Sequence, residues 1–331
     1  MRAQVLFTPK IITEKPLKRV DLPTPIPDPG QIRLRVTACG VCHTDLHTVE
    51  GDLALPKLPV TPGHQVVGVV DAVGAAVTDF HPGQRVGSVW LYRTCGECRY
   101  CLSGRENLCE RAQFTGFHAD GGYAEYMVVD AAFAYHLPEG LSDAEITPLL
   151  CGGVIGYRAL RLSEAKRGDV LGLYGFGNSA HITIQVARYW GCRVFVFTRS
   201  PGHQDHARAL GAEWVGRAEE APPAGVDSII VFAPAGELVP EALRVLNPGG
   251  TIALAGIHMS NIPEMPYALL YGERTLRSVA NSTRRDVIEL LELAREIPIH
   301  TDVVTFPLDQ ANEVLLAMKE SRFNGDAVLV P

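Results

Sequence analysis

The sequence is short of positive charge: 30 Lys and Arg stand against 37 Asp and Glu, for a formal net charge of −7 and a pI of about 5.9. A general affinity for nucleic acid or an anionic membrane needs a basic face, so neither is expected as a partner. Long apolar runs are also missing, and none approaches the roughly 18 residues of a membrane helix. The stretch from Met1 to Lys18 has scattered charges and no apolar h-region, which excludes a secretory signal and points to the cytoplasm. Internal repeats, low-complexity tracts and long linkers are absent too.

The chain has 331 residues, 47% hydrophobic and 20% charged. That is an ordinary globular composition at a length suited to two domains. Glycine (32) and proline (23) are plentiful, as befits many turns. Eight cysteines are present, and in a long chain without a signal, clustered cysteines more often bind metal than form disulfides.

The first 150 or so residues read as short strands, such as Ile32–Val36, Val66–Val70 and Tyr123–Val129, punctuated by Gly, Pro and Asp. That texture predicts an irregular, partly barrel-like β domain. Beyond Cys151 strand and helix alternate: strand Asp169–Gly175, helix Ser179–Trp190, strands Arg193–Phe197 and Ser228–Phe232, helix Glu237–Leu246, a turn at Asn247-Pro248-Gly249-Gly250, and strand Thr251–Ala255. Such alternation predicts a doubly wound parallel sheet. The tail reads as helix Asp286–Glu296, strand Val303–Phe306, helix Leu308–Glu320 and strand Ala327–Val330, returning to complete the first domain. The expected division is 1–150 with 281–331, and 151–280.

Cys95, Cys98, Cys101 and Cys109 have the spacing C-x2-C-x2-C-x7-C. Two residues between thiolates let one tight turn aim both at a single ion, and the longer return closes a tetrahedron. Four cysteine ligands leave no open position, so such a zinc site is structural. Buried thiols, two disulfides or an iron–sulfur cluster are the competing readings.

Three other segments offer donors: Cys39-Gly-Val-Cys42-His43-Thr44-Asp45-Leu46-His47, Pro62-Gly63-His64-Gln65 and Leu150-Cys151-Gly152-Gly153. One Cys, one His and a second Cys would leave a fourth position open to water or substrate, the catalytic zinc pattern. Singly each is weak: Cys151 could be core, His64 a turn residue, and Cys39-x-x-Cys42 a redox pair.

Gly175-Phe-Gly177-Asn178-Ser179-Ala180 carries G-x-G-x-x-A between a predicted strand and helix. The first Gly permits the turn, the second admits the pyrophosphate, and the small third residue lets helix pack on strand. At the end of the next strand, NAD enzymes usually place an acid for the ribose 2′-hydroxyl. Here Thr198-Arg199-Ser200 has none, and these side chains could bind a 2′-phosphate. NADP is therefore favoured over NAD.

Taken together and in this order, these motifs resemble the medium-chain, zinc-dependent alcohol dehydrogenase family over essentially the whole chain. The likeness rests on Gly40-Val41-Cys42-His43-Thr44-Asp45, Gly63-His64, the four-cysteine lobe, Leu149-Leu150-Cys151-Gly152-Gly153 and the glycine loop. It implies an α/β fold: a Rossmann-type doubly wound parallel sheet plus a β-rich, partly barrel-like (GroES-like) catalytic domain. It also implies two zinc ions per chain, with Cys42, His64 and Cys151 as the catalytic ligands and Cys39 outside the set. By the same likeness Asp45 would orient His64 from behind. Thr44 would take the substrate proton and His47 pass it on, His43 would lie near the pyrophosphate, and Arg284 (or Arg285) would contact it. Leu53, Trp90, Leu91 and Phe117 would wall an apolar pocket. The substrate would be a primary alcohol or aldehyde, and the assembly a homodimer or homotetramer. One departure stands out: the family usually has Gly-His-Glu, whereas residue 65 is Gln, a neutral amide that leaves the metal more electropositive. A polyol dehydrogenase, which commonly has Glu where Cys151 sits, is the alternative within the family. A zinc- and nucleotide-binding redox sensor without catalysis is the alternative outside it.

Overall fold

The computed structural model describes residues 1–322 and 325–331. It divides into two compact units: Met1–Cys151 with Thr283–Arg295 and His300–Pro331, and Gly152–Ser282 with Glu296–Ile299.

The first unit is built on a seven-stranded sheet. Its order is Val303–Pro307, Asp326–Val330, Gln31–Gly40, Gln65–Val73, Arg85–Ser88 and Ala134–His136, with Tyr126–Asp130 pairing on Gln31–Gly40 as well. The ten-residue strand Gln31–Gly40 organises it. Register shifts at Arg33/Leu34 and Val36/Ala38 interrupt its pairing with Gln65–Val73. Such bulges bend a strand and increase its twist, so one end of Gln31–Gly40 pairs with Tyr126–Asp130 and the other with Asp326–Val330. The result is the curved, partly closed β domain. Ile32, Leu34, Val36, Val66, Val70, Val86, Met127, Val129 and Leu329 fill its interior.

The strand expected at Tyr123–Val129 forms instead over Tyr126–Asp130. Residues 123–125 bond to the N-terminal segment: Gln4 N donates to Tyr123 O and Glu125 N to Arg2 O. The helix expected over Leu308–Glu320 forms as a 3-10 turn, Leu308–Gln310, followed by the α-helix Ala311–Lys319.

The second unit is an all-parallel six-stranded sheet in the order Trp214–Gly216, Arg193–Phe197, Val170–Tyr174, Val226–Val231, Leu246–Leu254, Thr275–Ser278. Numbered along the chain this is 3-2-1-4-5-6, the doubly wound order. Every residue of Val170–Tyr174 is buried, as a strand covered on both faces requires. The predicted Asn247–Gly250 turn lies within a strand, Leu246–Leu254: Val226 pairs with Leu246 but Ser228 pairs with Thr251. Those four residues are therefore accommodated as an irregularity in the ladder rather than as a connection before it. Among the described residues no helix is long and apolar enough to cross a membrane.

Candidate metal centres and nucleotide loop

Cys42 ends the extended run after Gln31–Gly40 and caps the helix His43–Glu50. Its Sγ accepts a hydrogen bond from Thr44 N at 3.3 Å, and its own N–H donates to Asp45 Oδ2 at 3.0 Å. The other Asp45 oxygen accepts from Gly63 N at 3.1 Å and lies 3.2 Å from His64 Nδ1. Because a carboxylate can only accept, Nδ1 carries the proton and Nε2 is left to face the thiols. His64 Nε2 is 3.4 Å from Cys42 Sγ and 3.4 Å from Cys151 Sγ. All three donor atoms lie within 4.8 Å of one another, and all belong to the first unit.

The electrostatics suit a cation. Burial alone would lower the His64 pKa, but the charges of Cys42 and Asp45 raise it to about 10. A hydrogen bond from Cys151 chiefly, opposed by burial and aided by His64, draws the Cys42 thiol well below its ordinary value. The same bond, with burial, pushes Cys151 well above it. Two sulfurs and a nitrogen thus stand where they could hold zinc, with Asp45 fixing the imidazole from behind. Cys39 lies outside this group of donors: its thiol is buried and donates to Gly40 O at 3.7 Å.

Thr44 and His47 lie on the same helix, half-buried, and His47 Nδ1 is 2.7 Å from Asp52 Oδ2. His43 is exposed. Gln65 is buried at the head of its strand, with its side chain laid over Gly40. An aromatic group stands against the cluster. Trp90 meets the His64 ring edge-on at 5.0 Å, and Phe114 and Phe117 pack on Trp90 at 5.1 and 5.8 Å. Phe114 was not anticipated as a wall residue. Leu91, which was, is core at 1% exposure, whereas Leu53 is half-buried.

One further group escaped sequence reasoning. Asp326 is 6% exposed, and its carboxyl is pushed up to about 7 by burial first and then by Cys42 and Asp302. The only signal was an acid opening an apolar strand, Asp326–Val330.

The second cluster gathers Cys95, Cys98, Cys101 and Cys109, whose sulfurs also lie within 4.8 Å of one another. Cys98 caps the short helix Arg99–Leu102, and the 3-10 turn Glu106–Leu108 returns the chain to Cys109. Sulfur separations of 3.5 and 3.8 Å are far longer than the roughly 2.05 Å of a disulfide. Backbone N–H groups of Glu97 and Cys98 bring Cys95 down to about 6, while burial pushes Cys109 up to about 11. Backbone donors aimed at sulfur prepare thiolates for a metal. Cys192 lies elsewhere, buried in the second unit, with its thiol donating to Lys166 O.

In the second unit Gly175 follows Val170–Tyr174 with φ of 87°, and a Cβ there would meet Ala233 N at 3.0 Å. Only glycine fits that turn. Gly177 caps the helix Asn178–Tyr189, which includes Ser179, without a side-chain cap. Thr198, buried, donates its N–H to Gly216 O, Arg199 is exposed, and Ser200 caps Pro201–Ala209. Arg284 falls in the first unit: its backbone N–H donates to buried Glu106 at 2.9 Å and its Nε lies 3.4 Å from the same carboxylate. Arg285 pairs with Glu289 at 2.5 Å.

A β-rich unit with one three-donor and one four-cysteine cluster, in one chain with a doubly wound parallel sheet, is the arrangement of a zinc-binding dehydrogenase, and the comparisons place the chain in that class. Residues 28–139 match the alcohol dehydrogenase GroES-like domain and residues 180–296 the zinc-binding dehydrogenase family. The chain is 47% identical over 321 residues to a probable alcohol dehydrogenase, AdhA, of Mycobacterium tuberculosis, covering 95% of this chain and 93% of the relative. It is 37% identical to an alcohol dehydrogenase of Geobacillus stearothermophilus, over 96% of each chain. A thermostable alcohol dehydrogenase from Pyrobaculum aerophilum, solved with cobalt and zinc bound, superposes with a TM-score of 0.90 at 26% identity, covering 100% of this chain and 99% of that one. The chain belongs to the medium-chain, zinc-dependent alcohol dehydrogenase family.

Proposed function

We propose that the protein is an NAD(P)-dependent alcohol dehydrogenase that interconverts small primary alcohols and their aldehydes. The observation that carries this reading is the convergence of Cys42 Sγ, His64 Nε2 and Cys151 Sγ within 4.8 Å, a set of three protein donors in a family that binds zinc. Zinc bound there supplies Lewis acidity to a substrate oxygen. The rest falls to side chains. Asp45 holds His64 in the tautomer that presents Nε2. Thr44 accepts the alcohol proton at its hydroxyl, and His47, its Nδ1 engaged with Asp52, relays the proton from Nε2. The aromatic group of Trp90, Phe114 and Phe117 favours an apolar substrate and keeps water away.

Cys95, Cys98, Cys101 and Cys109 hold a second, structural zinc, giving two ions per chain. Gly175, Gly177, Asn178 and Ser179 seat the pyrophosphate, with His43 and Arg284 as further contacts to it. Thr198, Arg199 and Ser200 select NADP over NAD. The units are assigned as a catalytic domain and a dinucleotide-binding domain, in a cytoplasmic homodimer or homotetramer. Cysteine rather than glutamate at 151 disfavours the polyol reading.

The test combines a metal assay with kinetics. About two zinc per chain, and turnover of primary alcohols or aldehydes that vanishes in Cys42→Ala, are expected. One zinc per chain with no turnover would favour a non-catalytic sensor.

A further inference from the structure

We propose that Asp326, on the C-terminal strand, supplies the negative charge behind the Cys42–His64–Cys151 centre that Gln65 cannot. This rests on the reading of those three residues as a zinc site.

The argument is one of register. Gln31–Gly40 lies between Gln65–Val73 and Asp326–Val330. Gly40 stands opposite Gln65 on one side and opposite Val328 on the other. Residues directly opposite in antiparallel pairs share a face, and so do residues two apart on one strand. Gln65, Gly40, Val328 and Asp326 therefore present to the same face. Val41 N donates to Ala327 O at 2.9 Å, which carries the pairing one step beyond Gly40. Counting one step further sets Asp326 level with Cys42.

Gly40 matters here because it has no side chain. A Cβ at that position would meet Gln65 Oε1 at 2.7 Å and Cδ at 2.9 Å. The amide of Gln65 is thus laid across the central strand, on the face it shares with Asp326. An acid at 65 and an acid at 326 would approach the centre from the two strands flanking Gln31–Gly40. This chain keeps the acid on one of them only.

Asp326 thus stands level with Cys42, whose Sγ is one of the three donors, and its backbone is fixed there, its N–H donating to Asp302 O at 2.6 Å. A carboxylate buried to 6% exposure loses hydration that a neighbouring divalent cation can replace. Asp326 is accordingly a positioning residue: it acts on the metal through the field behind it, without touching substrate.

The experiment uses the full-length protein with cobalt in place of zinc. Absorption bands that disappear in Cys42→Ala belong to this centre. In Asp326→Asn those bands should shift, and cobalt should be lost to a chelator about ten-fold faster. Adding Gln65→Glu to Asp326→Asn should restore retention, because the charge returns from the opposite strand. A purely structural role for Asp326 would not be rescued in this way. Unchanged retention in Asp326→Asn, or failure of Gln65→Glu to restore it, overturns the inference. If Asp326→Asn does not fold, Gln65→Glu alone decides: a second carboxylate on this face should slow the loss, and unchanged or faster loss overturns the proposal. If no cobalt band depends on Cys42, the metal-site reading itself falls, a result distinct from an intact centre indifferent to residue 326.

Discussion

The Asp45 carboxylate sits 3.2 Å from Nδ1 of His64, with both side chains almost wholly buried. The same carboxylate accepts the backbone N–H groups of Cys42 and Gly63. One side chain therefore positions two of the three donors and ties the start of the His43–Glu50 helix to the turn that carries His64.

Replacing Asp45 by Asn keeps the shape and an acceptor oxygen but removes the charge. Zinc affinity at the three-donor centre should fall about 10- to 100-fold, read by chelator competition with the four-cysteine site as an internal reference. Asp45→Ala goes further, leaving the Cys42 and Gly63 amides unpaired at about 1–3 kcal/mol each, and should lower the melting temperature as well. Equal zinc retention in Asp45→Asn and the natural protein would contradict this role.

How far the sequence could be read depends on the range of the physics involved. The four-cysteine lobe spans fifteen consecutive positions, Cys95 to Cys109, so its geometry follows from local turns, and spacing was enough to name it. The glycine loop is similarly local: Gly175 needs its φ of 87° whatever surrounds it. The alternation of strand and helix beyond Cys151 likewise announced the parallel sheet. What escaped reading depends on strand neighbours. Asp326 gains its place only because its strand pairs with Gln31–Gly40, a pairing that spans nearly 300 residues of chain. Tyr123 leaves its expected strand because Gln4 captures its carbonyl. Asn247–Gly250 carry turn residues but are held inside a ladder by Val226 and Ser228 on the neighbouring strand. The bond between Arg284 and Glu106 links positions 178 apart and has no local trace at all.

Cofactor choice can be tested at Arg199, which is exposed just past the Arg193–Phe197 strand. If its guanidinium meets a 2′-phosphate, Arg199→Ala removes a charge-assisted contact of about 1.5–3 kcal/mol. kcat/KM with NADP should then drop about 10- to 100-fold, while kcat/KM with NAD should change little. Arg199→Asp should invert the preference, because the new carboxylate repels the phosphate and accepts the 2′-hydroxyl of NAD. Steady-state kinetics with both cofactors at one alcohol concentration provide the check. An equal loss with NAD and NADP would assign Arg199 to some role other than discrimination.

Proton release on zinc binding follows from the charges already on the three donors. In the metal-free centre His64 holds its proton up to about pH 10 and Cys151 is raised well above its ordinary value, while Cys42 is drawn well below its own. Ligation requires a neutral imidazole and two thiolates. One proton must leave His64 and one Cys151, so zinc binding near neutral pH should release about two protons and tighten about 100-fold per pH unit. Unperturbed groups would behave differently. The histidine, with an ordinary value near 6.5, would already be neutral at pH 9, and thiols near 8.5 would be mostly ionised there, so release would fall well below two. The folding side has the matching sign. A His64 raised above its unfolded value stabilises the metal-free protein fully below about pH 6.5, and that contribution is lost as pH rises towards 10. Zinc titrations in weak buffer at pH 7 and pH 9, with the four-cysteine site already loaded, count the protons directly. Release that stays near two at pH 9 supports a centre in which His64 and Cys151 are both held well above their ordinary values. Release that collapses towards zero there shows three donors titrating as independent, solvent-like groups.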